Sequence, residues 1–100
     1  MPAVLIIHRV ADYKTWLKHY EDHEPKRVEA SVTKSVVWQA EGDPNNVYIL
    51  MQCTDINKMK RFGESDELKQ TMAKAGVIGK PTIQLLVGEL KYPRQAGQHA

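Results

Sequence analysis

Cysteine is nearly absent from this sequence of 100 residues, in which Cys53 is the single one. One thiol cannot form a disulfide within its own chain. This excludes a small secreted scaffold held by internal disulfides and favours the cytoplasm as the compartment.

Long hydrophobic runs are missing as well. No apolar stretch approaches the ~20 residues that a transmembrane helix needs. The first residues, MPAVLII, have no basic segment before their apolar part, and a charged His-Arg pair follows too soon for a signal peptide. We therefore expect no membrane-bound form.

The sequence also has no marked surplus of either charge. Its 14 basic and 12 acidic residues are mixed along the chain and leave a formal net charge of +2. Such a balance creates no strong field for a polyanion or an anionic lipid surface. We expect no nucleic-acid partner.

One hundred residues are enough for one domain. We expect this domain to cover residues 1–92, and we expect a flexible C-terminal tail over residues 93–100 (PRQAGQHA), which hold no apolar pattern. A chain this short buries only a modest fraction of its surface and gains by pairing with a second copy.

Three segments have the composition of strands. The β-branched and aliphatic run from Ala3 to Val10 predicts a buried first strand. Val32 to Ala40 and Val47 to Cys53 predict two more, joined by the turn residues Gly42 to Asn46 in an antiparallel hairpin. Pro81 is expected to open a fourth strand, from Thr82 to Leu90.

Two segments have the spacing of helices. Asp12 can cap a helix whose face holds Tyr13, Trp16, Leu17 and Tyr20, and Pro25 should kink or stop this helix near Glu24. The second segment begins after Asp55 with Ile56, Met59 and Phe62. Gly63 weakens it, and Ser65 can cap a second piece that ends at Gly76.

The order β-α-β-β-α-β predicts an α+β domain of the ferredoxin-like kind. This arrangement has a four-stranded antiparallel sheet with the helices on one face. Both faces of the third and fourth strands are largely apolar, whereas a half-solvated sheet alternates more cleanly. We therefore predict a homodimer in which two sheet faces cover each other.

The best candidates for a site lie in and beside the first helix. On a helical wheel Trp16, Tyr20 and His23 share one stripe, and Arg27 joins it if the helix stays regular beyond Pro25. His8 reaches the same side if its face of the strand points toward the helices, as its alternation with Val4 and Ile6 indicates.

These residues predict a pocket with an aromatic wall, a base and a cation. His8 and His23 are the candidate catalytic bases, because histidine exchanges protons near neutral pH. Arg27 could stabilise the enolate or phenolate that results. Four residues are predicted to contact a ligand: Trp16, Tyr20, Arg27 and Trp38.

Each candidate also has a simpler explanation. An aromatic stripe on a helix is most often core packing. Trp38 can pair with Tyr48 across the hairpin and stabilise the sheet or a dimer seam. His19 and His23 have the i, i+4 spacing of a helical metal site, but no third ligand is evident and Tyr20 stands where the H-E-x-x-H motif needs glutamate. We predict no metal and no cofactor.

The sequence resembles the dimeric α+β barrel superfamily, and most closely its small bacterial proteins of the antibiotic-biosynthesis-monooxygenase-like or cyclase-like kind. The resemblance covers about Ala3 to Leu90. It rests on three groups of residues: His8-Arg9-Val10 with Asp12-Tyr13, Trp16, His23 and Arg27; Gly42-Asp43-Pro44-Asn45; and Phe62 with Ser65, Leu68 and Ala75-Gly76-Val77.

This resemblance implies a pocket between the sheet and the helices of each subunit of a dimer. Characterised members include cofactor-free monooxygenases of polycyclic phenols and haem-degrading enzymes. The asparagine-containing residue sets that these two groups use have no counterpart here. The resemblance therefore implies fold and dimer and names no reaction.

Three hypotheses remain for the function. The first is a cofactor-free monooxygenase or cyclase that acts on a small aromatic or polyketide-like ligand. The second is a non-catalytic, ligand-binding or stress-related dimer with the same pocket. The third is a structural dimer without a pocket.

Overall fold

The computed structural model describes residues 2–90, so the predicted tail over residues 93–100 lies outside the described part of the chain. The chain forms four strands and four helices in the order β1 (Ala3–Val10), α1 (Tyr13–Asp22), α2 (Glu24–Glu29), β2 (Val32–Ala40), β3 (Asp43–Cys53), α3 (Ile56–Gly63), α4 (Asp66–Lys74) and β4 (Val77–Leu86). The predicted α+β class and the β-α-β-β-α-β order are confirmed, with each helical segment divided in two.

The four strands form one antiparallel sheet in the order β2-β3-β1-β4. Because side chains alternate along a strand, β1 and β3 each present one set of residues to the helices. This helix-side face includes the buried residues of the sheet: Val4, His8, Val10, Val47, Ile49, Met51 and Cys53.

The opposite face, here called the open face, carries no helix among the described residues. It is formed by the alternate residues of β1, β3 and β2, which the strand register places next to one another: Leu5, Ile7, Tyr48, Leu50, Val36 and Trp38. Trp38 stands directly opposite Tyr48, as predicted for the hairpin, and remains 52% exposed.

The helices begin where the capping residues predict. The Asp12 carboxylate accepts from the amide of Thr15, the Asp55 carboxylate accepts from Asn57 and Lys58, and the Ser65 hydroxyl accepts from Leu68. Each cap satisfies amides that the first helical turn leaves without a partner. Trp16 of α1 and Met59 of α3 then pack onto the helix-side face.

The break between α1 and α2 falls at His23. Pro25 occupies the first turn of α2, where its missing amide hydrogen costs nothing because that amide has no helical partner. The predicted interruption near Glu24 is confirmed. The short second helix turns the chain so that Arg27 points back toward α1, where it donates to the carbonyl of Tyr20.

The predicted boundaries of β3 and β4 were wrong. The hairpin turn contains only Glu41 and Gly42, and β3 already begins at Asp43 rather than at Val47. β4 covers Val77–Leu86 rather than Thr82 to Leu90. Pro44 and Asn45 in β3, and Gly79 and Pro81 in β4, lie in irregular parts of the strand pairing instead of in loops.

The irregularity in β4 lies beside His8. Three residues of β4, Gly79 to Pro81, stand opposite His8 alone, because Thr82 pairs with Ile7 and Ile78 pairs with Arg9. Gly79 has a φ of +71°, which glycine adopts without steric cost, and Pro81 has no amide hydrogen to donate to β1. This segment is called the β4 bulge below.

No helix within residues 2–90 is long and apolar enough to cross a membrane.

Candidate functional site

A cavity of about 290 Å³ lies between the helix-side face of the sheet and the four helices, and one side of it is open to solvent. Its body is apolar and is formed by the sheet together with α3 and α4. The apolar residues that line it are Val4, Ile6, Ile49, Met51, Met59, Phe62, Leu68, Met72, Ala75, Ile83 and Leu85. Such a lining binds hydrophobic molecules and leaves orientation to a few polar groups.

The polar groups of the lining come mainly from α1, from α2 and from the end of β1. They include five residues that the sequence predicts for a site: His8, Trp16, Tyr20, His23 and Arg27. His19 lies on the same wall, with its Nδ1 3.0 Å from the carbonyl oxygen of Thr15. The structure therefore brings the two candidate bases to one cavity.

His8 is buried on the helix-side face, with 6% of its surface exposed. Neither Nδ1 nor Nε2 has a hydrogen-bond partner among the described residues. Its ring meets Trp16 edge to face, with the ring centroids 5.4 Å apart. Burial lowers the pKa of His8 from its ordinary value of 6.5, because the charged imidazolium loses its hydration there.

Trp16 and Tyr20 continue the wall from His8. They lie one helical turn apart on α1 and stack with ring centroids 4.9 Å apart. The Tyr20 hydroxyl forms a hydrogen bond with the hydroxyl of Ser35 on β2. Burial raises the pKa of Tyr20, although this hydrogen bond and Arg27 act in the opposite direction.

Arg27 ends this wall and is buried as deeply as His8, with 6% exposed. Its guanidinium carbon lies 3.6 Å from the centre of the Tyr20 ring, and Nη1 donates to the carbonyl oxygen of Tyr20 at 2.6 Å. Burial lowers the pKa of Arg27, and the nearby Tyr20 and Glu24 raise it. No ion pair links Arg27 to a carboxylate within residues 2–90.

His23 lies at the break between α1 and α2, across the cavity from α4. Its ring stacks on Phe62 with centroids 5.8 Å apart. Its Nε2 is 3.7 Å from the Oε1 of Glu67, which is beyond hydrogen-bond length, and has no hydrogen-bond partner in the described part of the chain. His23 is less buried than His8, with 15% of its side chain exposed, and unlike His8 it has a carboxylate nearby.

The structure does not bring Trp38 to this cavity. Trp38 lies on the open face of the sheet, opposite Tyr48, on the far side from the helices. Its predicted contact with a ligand in the pocket therefore finds no support within one chain.

α3 and α4 provide a wall of the cavity that was not predicted from the sequence. Met59 and Phe62, which the helical spacing places on one face, line the cavity together with Leu68 and Met72. The apolar face of each helix was visible in the sequence. However, nothing in that pattern distinguishes a side chain that meets the sheet from one that stops short of it.

No group of three or more histidine, cysteine, aspartate or glutamate side chains that could hold a metal ion is found within residues 2–90. The pair His19 and His23 lacks a third ligand there.

No protein-family model matches the chain, and a search of curated proteins finds no match. Solved structures do match its fold. SnoaB, a cofactor-independent oxygenase from Streptomyces nogalater, superposes with a TM-score of 0.74 at 8% identity, over 93% of this chain and 97% of its own.

Two further solved structures have the same fold. One is an antibiotic biosynthesis monooxygenase with a TM-score of 0.68 at 14% identity, over 90% of this chain and 100% of its own. The other is a dimeric ferredoxin-like protein from an uncultured marine organism, with a TM-score of 0.63 at 9% identity, over 94% of this chain and 100% of its own. At such identities the likeness establishes a shared ferredoxin-like fold.

Proposed function

We propose that this chain is a homodimeric, cytoplasmic enzyme that needs no cofactor and acts as a monooxygenase or cyclase on a small aromatic or polyketide-like molecule. The observation that carries the proposal is His8. A buried imidazole without a partner for either nitrogen, on the wall of an apolar cavity, is costly for the fold unless a ligand uses it. SnoaB, described as a cofactor-independent oxygenase, supports the choice of reaction by its fold.

The size of the cavity supports a ligand with few rings. An engineered apolar cavity of about 150 Å³ binds benzene. A cavity of about 290 Å³ therefore accommodates about two fused rings, and a third can extend through its open side.

His8 would act as the general base. Its lowered pKa keeps the imidazole neutral at pH 7, so one ring nitrogen can accept a proton from an activated C–H group of the ligand. The carbanion is left with the electron pair of that bond. Arg27 and the amphipathic wall of Trp16 and Tyr20 would hold the ring system during this step.

Two reactions can follow from the carbanion. In an oxygenation, its electron pair forms a C–O bond to dioxygen and the His8 imidazolium returns the proton to the distal oxygen. Where the same carbon carries a second hydrogen, as in a methylene group, this hydrogen leaves with the distal oxygen as water and the C–O group becomes a ketone, so that one oxygen atom enters the product. In a cyclisation, the carbanion adds to a carbonyl of the same molecule, and the imidazolium protonates the alkoxide.

The proposed dimer rests on the open face of the sheet. This face is apolar at its centre, and Trp38 at its margin is half exposed. Contiguous exposed apolar surface of this kind is typical of an interaction site. The dimeric ferredoxin-like protein of similar fold supports a second copy as the occupant.

Turnover of anthrone tests the enzymatic proposal, because its methylene group lies between two aryl rings and loses a proton readily. Dioxygen uptake should be catalysed by the unaltered protein and abolished in His8→Ala and His23→Ala, with the oligomeric state retained in both. Lys18→Ala, an exposed change on α1, is the matched control and should keep full activity. Full activity in both histidine variants would refute the proposal.

A second candidate function is non-catalytic binding of the same class of ligand. It is favoured by the lowered pKa of His8, since a weaker base removes protons less effectively. In that case anthrone would raise the midpoint of thermal unfolding without any uptake of dioxygen.

A further inference from the structure

Arg27 is a buried positive charge for which the described residues supply no paired negative charge. It is 6% exposed, and no carboxylate within residues 2–90 lies within ion-pair distance of it. A buried charge that is not paired is strongly unfavourable, and proteins retain one where a ligand or metal neutralises it.

The contacts that Arg27 makes within the protein use only part of its guanidinium group. One N–H donates to the carbonyl oxygen of Tyr20, which lies in the last turn of α1 and also accepts from the amide of His23 at 3.3 Å. One face of the group rests on the Tyr20 ring. Arginine has five N–H donors in a planar fork, and within residues 2–90 this one hydrogen bond is the only one that the guanidinium group of Arg27, a residue of the cavity lining, makes.

The surrounding carboxylates do not replace the missing partner. Glu24 is exposed on α2 and acts on Arg27 only through space. Glu64 lines the cavity but is exposed to solvent. Glu67 lies 3.8 Å from the Nζ of Lys26 and 3.7 Å from His23, so its charge is directed to those groups. The polar end of the cavity is therefore electropositive.

We propose that the natural ligand of this cavity is an aromatic carboxylate and that Arg27 binds its carboxylate group. The inference rests on the proposed function only in taking the same cavity as the ligand site. The planar fork of arginine matches the two oxygens of a carboxylate, and charge-assisted pairs of this kind are about twice as strong as neutral hydrogen bonds. The apolar body formed by Ile49, Met51, Phe62 and Leu68 would hold the ring system.

Binding of a matched pair of probes tests the charge preference. 2-Naphthoate and 2-naphthamide have the same two-ring body and differ in charge, and both can be titrated by calorimetry at pH 8.0, where histidines of ordinary pKa are neutral. We expect 2-naphthoate to bind about ten- to a hundredfold more tightly to the unaltered protein. Equal affinities, tighter binding of the amide, or no binding of either probe at millimolar concentration would overturn the proposal.

Variants of α2 assign the preference to Arg27. Arg27→Met keeps the length of the side chain and should bring the two affinities within about threefold, while the affinity for the amide changes little. Lys26→Met removes the same charge from the adjacent, exposed position and should keep the preference. A preference retained in Arg27→Met or lost in Lys26→Met would contradict the assignment.

Arg27→Lys serves if the methionine variant does not fold. It keeps the positive charge and loses the planar fork of N–H donors. The preference for 2-naphthoate over 2-naphthamide should therefore be smaller than in the unaltered protein but larger than the preference of a site without a charge. A preference unchanged by this variant would count against bidentate binding by Arg27. None of these measurements needs turnover, so a protein that prefers 2-naphthoate but consumes no dioxygen would refute the proposed reaction and leave this inference standing.

Discussion

Burial of His8 lowers the stability of the fold but supplies the cavity with a candidate base. His8→Leu should raise the free energy of unfolding by about 1–3 kcal/mol, because it removes two buried ring nitrogens that have no partner. The gain should grow as the pH falls below 6.5. The folded protein resists protonation of His8, whereas the unfolded chain takes up the proton at its ordinary pKa.

Urea unfolding of both proteins between pH 8 and pH 5 would measure this difference. The lowered pKa of the folded state means that stability is fully present above 6.5 and is lost as the pH falls toward the pKa of the folded protein. His19→Leu is the matched control, because the Nδ1 of His19 lies 3.0 Å from the carbonyl oxygen of Thr15 and the residue is less buried. A His8→Leu protein that is less stable than the unaltered chain at every pH would contradict this account.

The positions of the individual site residues were predictable from the sequence to different degrees. Alternation along β1 placed His8 on one face with Val4 and Ile6, but Leu5 and Ile7 make the other face equally apolar, so the structure was needed to identify the helix side. Helical spacing placed Trp16 and Tyr20 together. Arg27 could not be placed in this way, because its position depends on the turn that Pro25 introduces, and Trp38 could have faced either side of the sheet.

Ser31 connects α2 to β2 and adopts a φ of +75°, which side chains with a Cβ rarely do. Its Oγ donates to the carbonyl oxygen of Asp55 and accepts from the Asp55 amide, at 3.1 and 2.9 Å. Ser31→Ala should therefore be less stable by about 1–3 kcal/mol, since it keeps the unfavourable φ and loses both hydrogen bonds. Urea unfolding gives this value.

Ser31→Gly is the matched control for the backbone. It loses the same two hydrogen bonds but adopts this φ freely, so it should be more stable than the alanine variant by about 1 kcal/mol. The explanation fails if the glycine variant is the less stable of the two, or if the alanine variant unfolds like the unaltered chain.

The order of the elements was predictable because each one combines a hydrophobic period with its own capping or turn residue. The boundaries of β3 and β4 were less predictable. Asn45 reads as a turn residue, yet its side chain accepts from the Tyr13 amide and donates to the carbonyl oxygen of Ala11, which fixes the start of α1. Gly79 and Pro81 likewise read as loop residues, although the sheet continues on both sides of them.

In our proposal, the homodimer forms through the open face of the sheet. Leu50 lies at its centre, between Leu5 of β1 and Val36 of β2. Leu50→Glu should weaken the homodimer by at least about a hundredfold, because it would bury an unpaired carboxylate in the interface. Sedimentation velocity at micromolar concentration would report the change as a shift from dimer to monomer.

Lys18→Glu provides the control for this experiment. It adds a negative charge on the exposed surface of α1, on the far side of the sheet, and should leave the dimer intact. A monomeric unaltered protein, or a Leu50→Glu protein that remains dimeric, would exclude the open face as the interface.

The β4 bulge places three residues opposite one, which is two more than the strand pairing needs. The pairing resumes on both sides of it, so Val77 faces the helices as Ile83 does. β2 accommodates a single extra residue, Thr33, between Val32 and Lys34, and the pairing resumes there as well. Natural or engineered variants of this protein should therefore tolerate a β4 bulge that is one residue longer or shorter, and such a change would widen or narrow the space beside His8 without refolding the sheet.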